Sequence, residues 1–117
     1  MSPLDYSLCN QTVTLYRKEA EGIKRQVLSD CYLSASVSTP TEAYGKSLEK
    51  TFRLIIPGDR PVYCGDRIYA GTGPEVTDWH SFVPASVPML YEVSTAKTCF
   101  WEGEITHWEA GSRKEHL

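Results

Sequence analysis

Glycine and proline interrupt this chain so often that helices of ordinary length have little room between them. Among them stand Gly22, Pro40, Gly45, Pro57-Gly58, Gly65, Gly71, Gly73-Pro74, Pro84, Pro88, Gly103 and Gly111. Each is costly inside a helix, proline because it lacks an N–H and clashes with the preceding turn. The segments between them read as strands.

The residue pattern inside those intervals agrees. In residues 11–16, Val13 and Leu15 share one face while Thr12, Thr14 and Tyr16 share the other. That is the alternation of a half-buried strand. Residues 23–37 form a longer strand, with Val27, Cys31, Leu33, Ala35 and Val37 at one parity and Ser29 interrupting it. Its length predicts a bend or a bulge. The charged residues 17–21, ending at Gly22, predict a hairpin connection. Residues 38–48 are polar and turn-rich and predict a long exposed loop.

Strands follow at residues 49–56, 66–70, 90–96 and 104–110, with a turn at 101–104. Residues 77–83 predict one short helix. Thr77 would cap it, Trp79 and Phe82 would share a face, and Pro84 would end it. About six strands and one helix predict a mainly β fold, a small antiparallel β-barrel or sandwich. The whole chain, 1–117, reads as one domain with residues 1–10 and 112–117 as flexible ends.

Charge and cysteine usage narrow the function. The formal net charge is −3. A free-standing nucleic-acid binder carries a basic excess, so no sequence-specific nucleic acid is expected as a partner. No apolar run is long enough to span a membrane, and residues 1–10 lack the pattern of a signal peptide. The expected compartment is the cytosol in which the chain is made. Cys9, Cys31, Cys64 and Cys99 form no Cys-x-x-Cys pair and are expected as reduced, mostly buried thiols.

No spacing announces catalysis. His80, His107 and His116 do not pair at ligand spacing within one element, so no metal or other cofactor is expected. His107 is expected to face solvent or to pair across its strand. No serine stands in a Gly-x-Ser-x-Gly setting. Asp59, Asp66, Glu75 and Asp78 read as loop residues that solvate turns. Gly71-Thr72-Gly73-Pro74 follows a strand as phosphate loops do, but Pro74 offers no N–H and no Lys-Ser/Thr follows. Tyr91, Phe100, Trp101 and Trp108 crowd the C-terminal strands. They fill a core, with a minority exposed for protein contacts. The alternative is an OB-like barrel that stacks single-stranded nucleic acid or carbohydrate on them.

Residues 58–111 carry a resemblance. Gly58-Asp59-Arg60, Gly65-Asp66-Arg67-Ile68, Gly71-Thr72-Gly73-Pro74, Trp79 with Phe82-Val83-Pro84-Ala85-Ser86-Val87-Pro88, Trp101 to His107, and Glu109-Ala110-Gly111 together resemble a family of short phage structural proteins. These occur in prophages of Gram-positive gut bacteria, among the head and head–tail joining genes. The Thr12 to Tyr16 strand fits as well. The resemblance implies a non-enzymatic virion subunit of the head-completion, connector or minor-capsid type, made in the bacterial host cytoplasm. Its implied partners are portal, adaptor and tail-joining proteins, and copies of itself in a ring. The expected contact loops are residues 38–48, with Pro40, Tyr44 and Lys46, and residues 72–88, with Trp79, Phe82, Pro84 and Pro88.

Overall fold

The computed structural model describes residues 8–38 and 49–112. Seven strands form: β1 (Gln11–Glu19), β2 (Gly22–Ser38), β3 (Glu49–Pro57), β4 (Arg67–Ala70), β5 (Leu90–Glu92), β6 (Thr95–Trp101) and β7 (Glu104–Gly111). They join in one sheet in the order β5-β4-β1-β2-β3-β7-β6, and every pair is antiparallel. The sheet curls as a half-barrel whose edge strands, β5 and β6, do not pair with each other. This corrects the expected six-stranded barrel or sandwich. No helix occurs among the described residues.

The curl begins in β2. Its first part pairs with β1 and its second part, from Tyr32 onward, pairs with β3. Between them lies a bulge. Gln11 faces Cys31 but Val13 faces Leu28, so β2 spends one residue more than β1 over the same rungs. A bulge bends its strand and flips the side-chain alternation. Leu28 is therefore buried at 6% and Val27 exposed at 44%, while Cys31 is again buried. The single parity expected through Val27 and Cys31 fails here, and Ser29 sits inside the bulge.

The inner face gathers Val13, Leu15, Leu28, Cys31, Phe52, Leu54, Ile56, Val62, Ile68, Tyr91, Val93 and Ala110 into one core. Strands from both ends of the sheet contribute, which is what the curl achieves. The expected strand 90–96 divides at Val93-Ser94. The Val93 N–H donates to Asp66 O at 2.8 Å and the Ser94 N–H to Gly111 O at 2.9 Å. One peptide step thus carries the chain from the β4 side to the β7 side, and the divided strand makes seven from six. The β6–β7 turn at Glu102-Gly103 has φ of 52° and 82°. Positive φ at both central residues marks the hairpin turn whose twist suits antiparallel strands.

The expected helix at 77–83 is replaced by turns. Asp78, not Thr77, holds the local N–H, accepting from His80 N at 3.1 Å. Seven residues give a helix too few internal bonds to offset its nucleation, and Pro84 disfavours helical geometry at Val83. Trp79 and Phe82 nevertheless fall on the same side, because the segment 71–89 lies across the outer face of β1 and β4. Tyr16, Phe82 and Leu90 form a second cluster there, with Ile23, Tyr69, Val76, Trp79 and Val87 against it. As a result β1 is buried on both faces, with Thr14 and Tyr16 as inaccessible as Val13, rather than half-buried.

Two measurements check this arrangement. Leu28→Ala should cost about 2–5 kcal/mol in urea denaturation, and Val27→Ala less than about 0.5 kcal/mol. Equal losses would remove the bulge. Burial also pushes the Cys31 thiol up from 9.0 to about 12. The unfolded chain releases this proton first, so stability should fall as pH rises above that lower value. The slope from this thiol approaches about 1.4 kcal/mol per pH unit. Cys31→Val should flatten that slope between about pH 9 and about pH 10.

Candidate interaction surface

The segment 71–89 is held from beneath by donors on the strands. Proline contributes a carbonyl but no N–H, so a segment with Pro74, Pro84 and Pro88 has more acceptors than donors. The sheet supplies the difference. Thr14 Oγ1 donates to Gly71 O at 2.8 Å and accepts from Gly73 N at 2.8 Å. The Tyr16 hydroxyl donates to Pro74 O at 2.6 Å, and Arg25 Nε donates to Gly73 O at 3.2 Å.

Lys50 does the most. Its ammonium lies 2.6 Å from Pro84 O, 2.9 Å from Val87 O, 3.1 Å from Pro88 O and 3.1 Å from Leu90 O. Three N–H donors are thus shared among four carbonyls. Burial lowers the Lys50 pKa from its ordinary value. Arg67 works the same way on the next turn, donating to Trp79 O at 2.5 Å and Phe82 O at 2.6 Å. Its guanidinium stacks 3.9 Å over the Trp79 ring.

Gly73 is packed against this frame. A Cβ there would stand 2.2 Å from the Tyr16 hydroxyl and 2.9 Å from the Tyr69 ring. The Gly-x-Gly-Pro sequence is accounted for by that close approach.

The expected contact residues therefore have different fates. Phe82 is buried, with its ring 4.7 Å from Tyr16 in an edge-on contact. Trp79 and Pro84 are half-buried and Pro88 is exposed. Pro40, Tyr44 and Lys46 lie outside the described residues.

The β6–β7 hairpin supplies a surface that the sequence reading placed less sharply. A register shift between Cys99 and Phe100 precedes the turn, with Phe100 opposite Ile105 and Trp101 opposite Glu104. Phe100 is 62% exposed and Trp101 43% exposed. As neighbours on a strand, they point to opposite faces of the hairpin tip. The other two aromatics are used inside. Tyr91 packs against Phe52 at 5.7 Å, and Trp108 lies half-buried against the Tyr63 ring at 5.8 Å. Tyr63, in turn, lies under the Arg17 guanidinium. The four aromatics do not share one stacking face.

The carboxylates expected to solvate turns are put to different uses. Asp66 is buried and pairs with Arg17 at 2.9 Å. Asp59 accepts from Trp108 Nε1 at 3.1 Å, and Glu75 is exposed.

A third feature joins residues that sequence spacing kept apart. Cys99 and His107 are direct cross-strand partners in the β6–β7 ladder. Glu109 lies two residues beyond His107 on the same face. His107 Nε2 is 2.9 Å from Glu109 Oε2, and Cys99 Sγ donates to the same oxygen at 3.4 Å. His107 is buried at 7%, while Cys99 and Glu109 are half-buried. Burial pushes Glu109 up, but the His107 and Cys99 hydrogen bonds and the Lys97 and Arg53 charges bring it below its ordinary value. Elsewhere, Cys31 and Cys64 are free thiols, one buried and one exposed.

Lys50→Met would leave four carbonyls without this donor. The expected loss is about 1–3 kcal/mol. Hydrogen exchange should quicken in residues 84–90 and stay unchanged in the β1–β2 ladder. Uniform quickening across both would show that Lys50 serves the fold at large and not the strap.

No protein-family model, no curated protein and no solved structure matches the chain.

Proposed function

We propose that this chain is a non-enzymatic structural subunit of a tailed-phage or prophage particle, acting through protein–protein contacts near the head–tail junction. The observation that carries the contact reading is the edge of β6, unpaired among the described residues, which ends in the exposed Phe100-Trp101 tip. An edge strand presents unpaired backbone donors and acceptors to a neighbouring strand. Exposed aromatics beside such an edge are the side chains that most often anchor an interface. Lys97 on the same strand interrupts the apolar surface, as charges on edge strands do where indiscriminate pairing must be limited.

The place in the particle rests on the resemblance of residues 58–111 to short phage head and head–tail joining proteins. The proposed partners are portal or adaptor proteins, tail-joining proteins and further copies of this chain in a ring. The strapped segment 71–89 suits that role. Its exposed residues, Pro88 and Met89 among them, are held in place before any partner arrives. Little conformational freedom is then lost on docking.

Sedimentation velocity over a concentration series, alone and with portal and tail-joining proteins of a phage that carries this chain, tests the reading. The expected result is concentration-dependent association or a complex with one of those proteins. Phe100→Ser with Trp101→Ser should weaken it by about tenfold or more, the scale of one lost aromatic anchor. A chain that stays monomeric and ignores every one of those proteins would overturn the proposal.

A further inference from the structure

We propose that Cys99, His107 and Glu109 form a binding site for a divalent transition-metal ion of the zinc type on the outer face of the β6–β7 hairpin. One donor atom from each of the three lies within 4.8 Å of the others. Thiolate, imidazole and carboxylate are the donors that zinc-type ions take. With metal–ligand bonds of about 2.0–2.3 Å, tetrahedral donors stand about 3.3–3.6 Å apart. The Cys99–Glu109 separation of 3.4 Å already fits, and the His107–Glu109 separation of 2.9 Å needs only a small side-chain rotation.

The hydrogen bonds around His107 suit a metal ligand. Thr106 Oγ1 donates to Cys99 O at 3.2 Å and lies 3.1 Å from His107 Nδ1, where the direction of the bond follows the imidazole tautomer. With the ring proton on Nδ1, the Nε2 lone pair faces Glu109 Oε2 at 2.9 Å. A metal ion bound by both would occupy that point, and the Nδ1–Thr106 bond would be the outer contact that metal-bound histidines make.

The surroundings permit the ion to enter. A surface depression of ≈ 330 Å³, lined in part by Arg53, Lys97 and Glu109, opens beside the cluster. Arg53 and Lys97 oppose a cation, and each approaches Glu109 at Oε1, at 3.6 Å and 3.9 Å. Both are long exposed side chains whose charges solvent screens. On binding, the Cys99 thiol releases its proton to solvent. Thiolate and carboxylate then balance the two charges of the ion, so Arg53 and Lys97 face a neutral cluster. The fourth position of the tetrahedron belongs to water or to a donor from outside.

Metal-stripped full-length protein, titrated with zinc against a chromophoric chelator and separately with cobalt, tests the site. The expected result is one ion per chain. Cobalt should show visible bands of tetrahedral geometry and a near-ultraviolet thiolate charge-transfer band. Cys99→Ser should abolish that band and weaken zinc binding by about 100-fold or more. Cys64→Ser, an exposed cysteine elsewhere, should bind as the parent does. His107→Gln removes a buried ring and can unfold the hairpin, so Cys99→Ser with the parent's cobalt spectrum decides the matter. Absence of stoichiometric uptake overturns the proposal. So does a cobalt spectrum without the thiolate band, or binding that survives Cys99→Ser.

Discussion

The fold depends on β2 serving two ladders. A strand of 17 residues cannot stay flat beside β1 over one part and β3 over the other while burying both parts in one core. The bulge at residues 28–31 resolves this. It turns Leu28 inward, restores Cys31 to the same face and bends the sheet so that Tyr91 and Val93 on one side reach Phe52 and Leu54 on the other. Without that bend, β5 and β3 would lie at opposite parts of a flat sheet, and the twelve buried residues of the main core would not meet.

The outer face of β1 and β4 poses a second problem, since Tyr16 and Leu90 are fully buried there without a second sheet above them. A proline-rich segment covers them instead. Such a cover is short of N–H donors and would leave carbonyls unpaired over an apolar surface. Lys50, Arg67 and Arg25 meet that need with donors that carry charge, and charge-assisted bonds are the stronger kind. The arrangement has one incomplete point. Among the described residues Arg67 Nε is buried without a hydrogen bond, and the Glu92 carboxylate stands 3.5 Å away. The Trp79 ring beneath the guanidinium partly offsets this.

Local patterns made much of the strand content legible. Val13 and Leu15, Phe52, Leu54 and Ile56, and the turn at Glu102-Gly103 all obey rules that act within a few residues. What stayed hidden depends on contacts far apart in sequence. Val27 and Leu28 could not be assigned to faces, because the bulge is set by pairing with β1. The helix expected at 77–83 met a tertiary alternative: Trp79 and Phe82 gain burial, and their carbonyls gain Arg67. The division at Val93-Ser94 came from Asp66 and Gly111, neither of which is near it in sequence. At the cluster, no ligand spacing within one element marks the site, because the third donor lies across a ladder. Cys99 and His107 are eight positions apart in the chain and share one rung of the sheet.

That rung also connects the cluster to the exposed tip. Beyond Cys99 and His107 come only Phe100 opposite Ile105 and Trp101 opposite Glu104 before the turn. A two-rung tip carrying exposed aromatics would fray if the ladder below it were loose. Thr106 bridges the register shift by bonding to Cys99 O, and His107 and Glu109 lock the rungs beneath. A fixed tip loses less freedom when it meets a partner than a frayed one. The contacts of Glu109 with His107 and Cys99 stiffen the part of the hairpin that carries this tip. The buried polar cluster and the exposed aromatic pair are consecutive parts of one ladder, and the packing of the first sets the precision of the second.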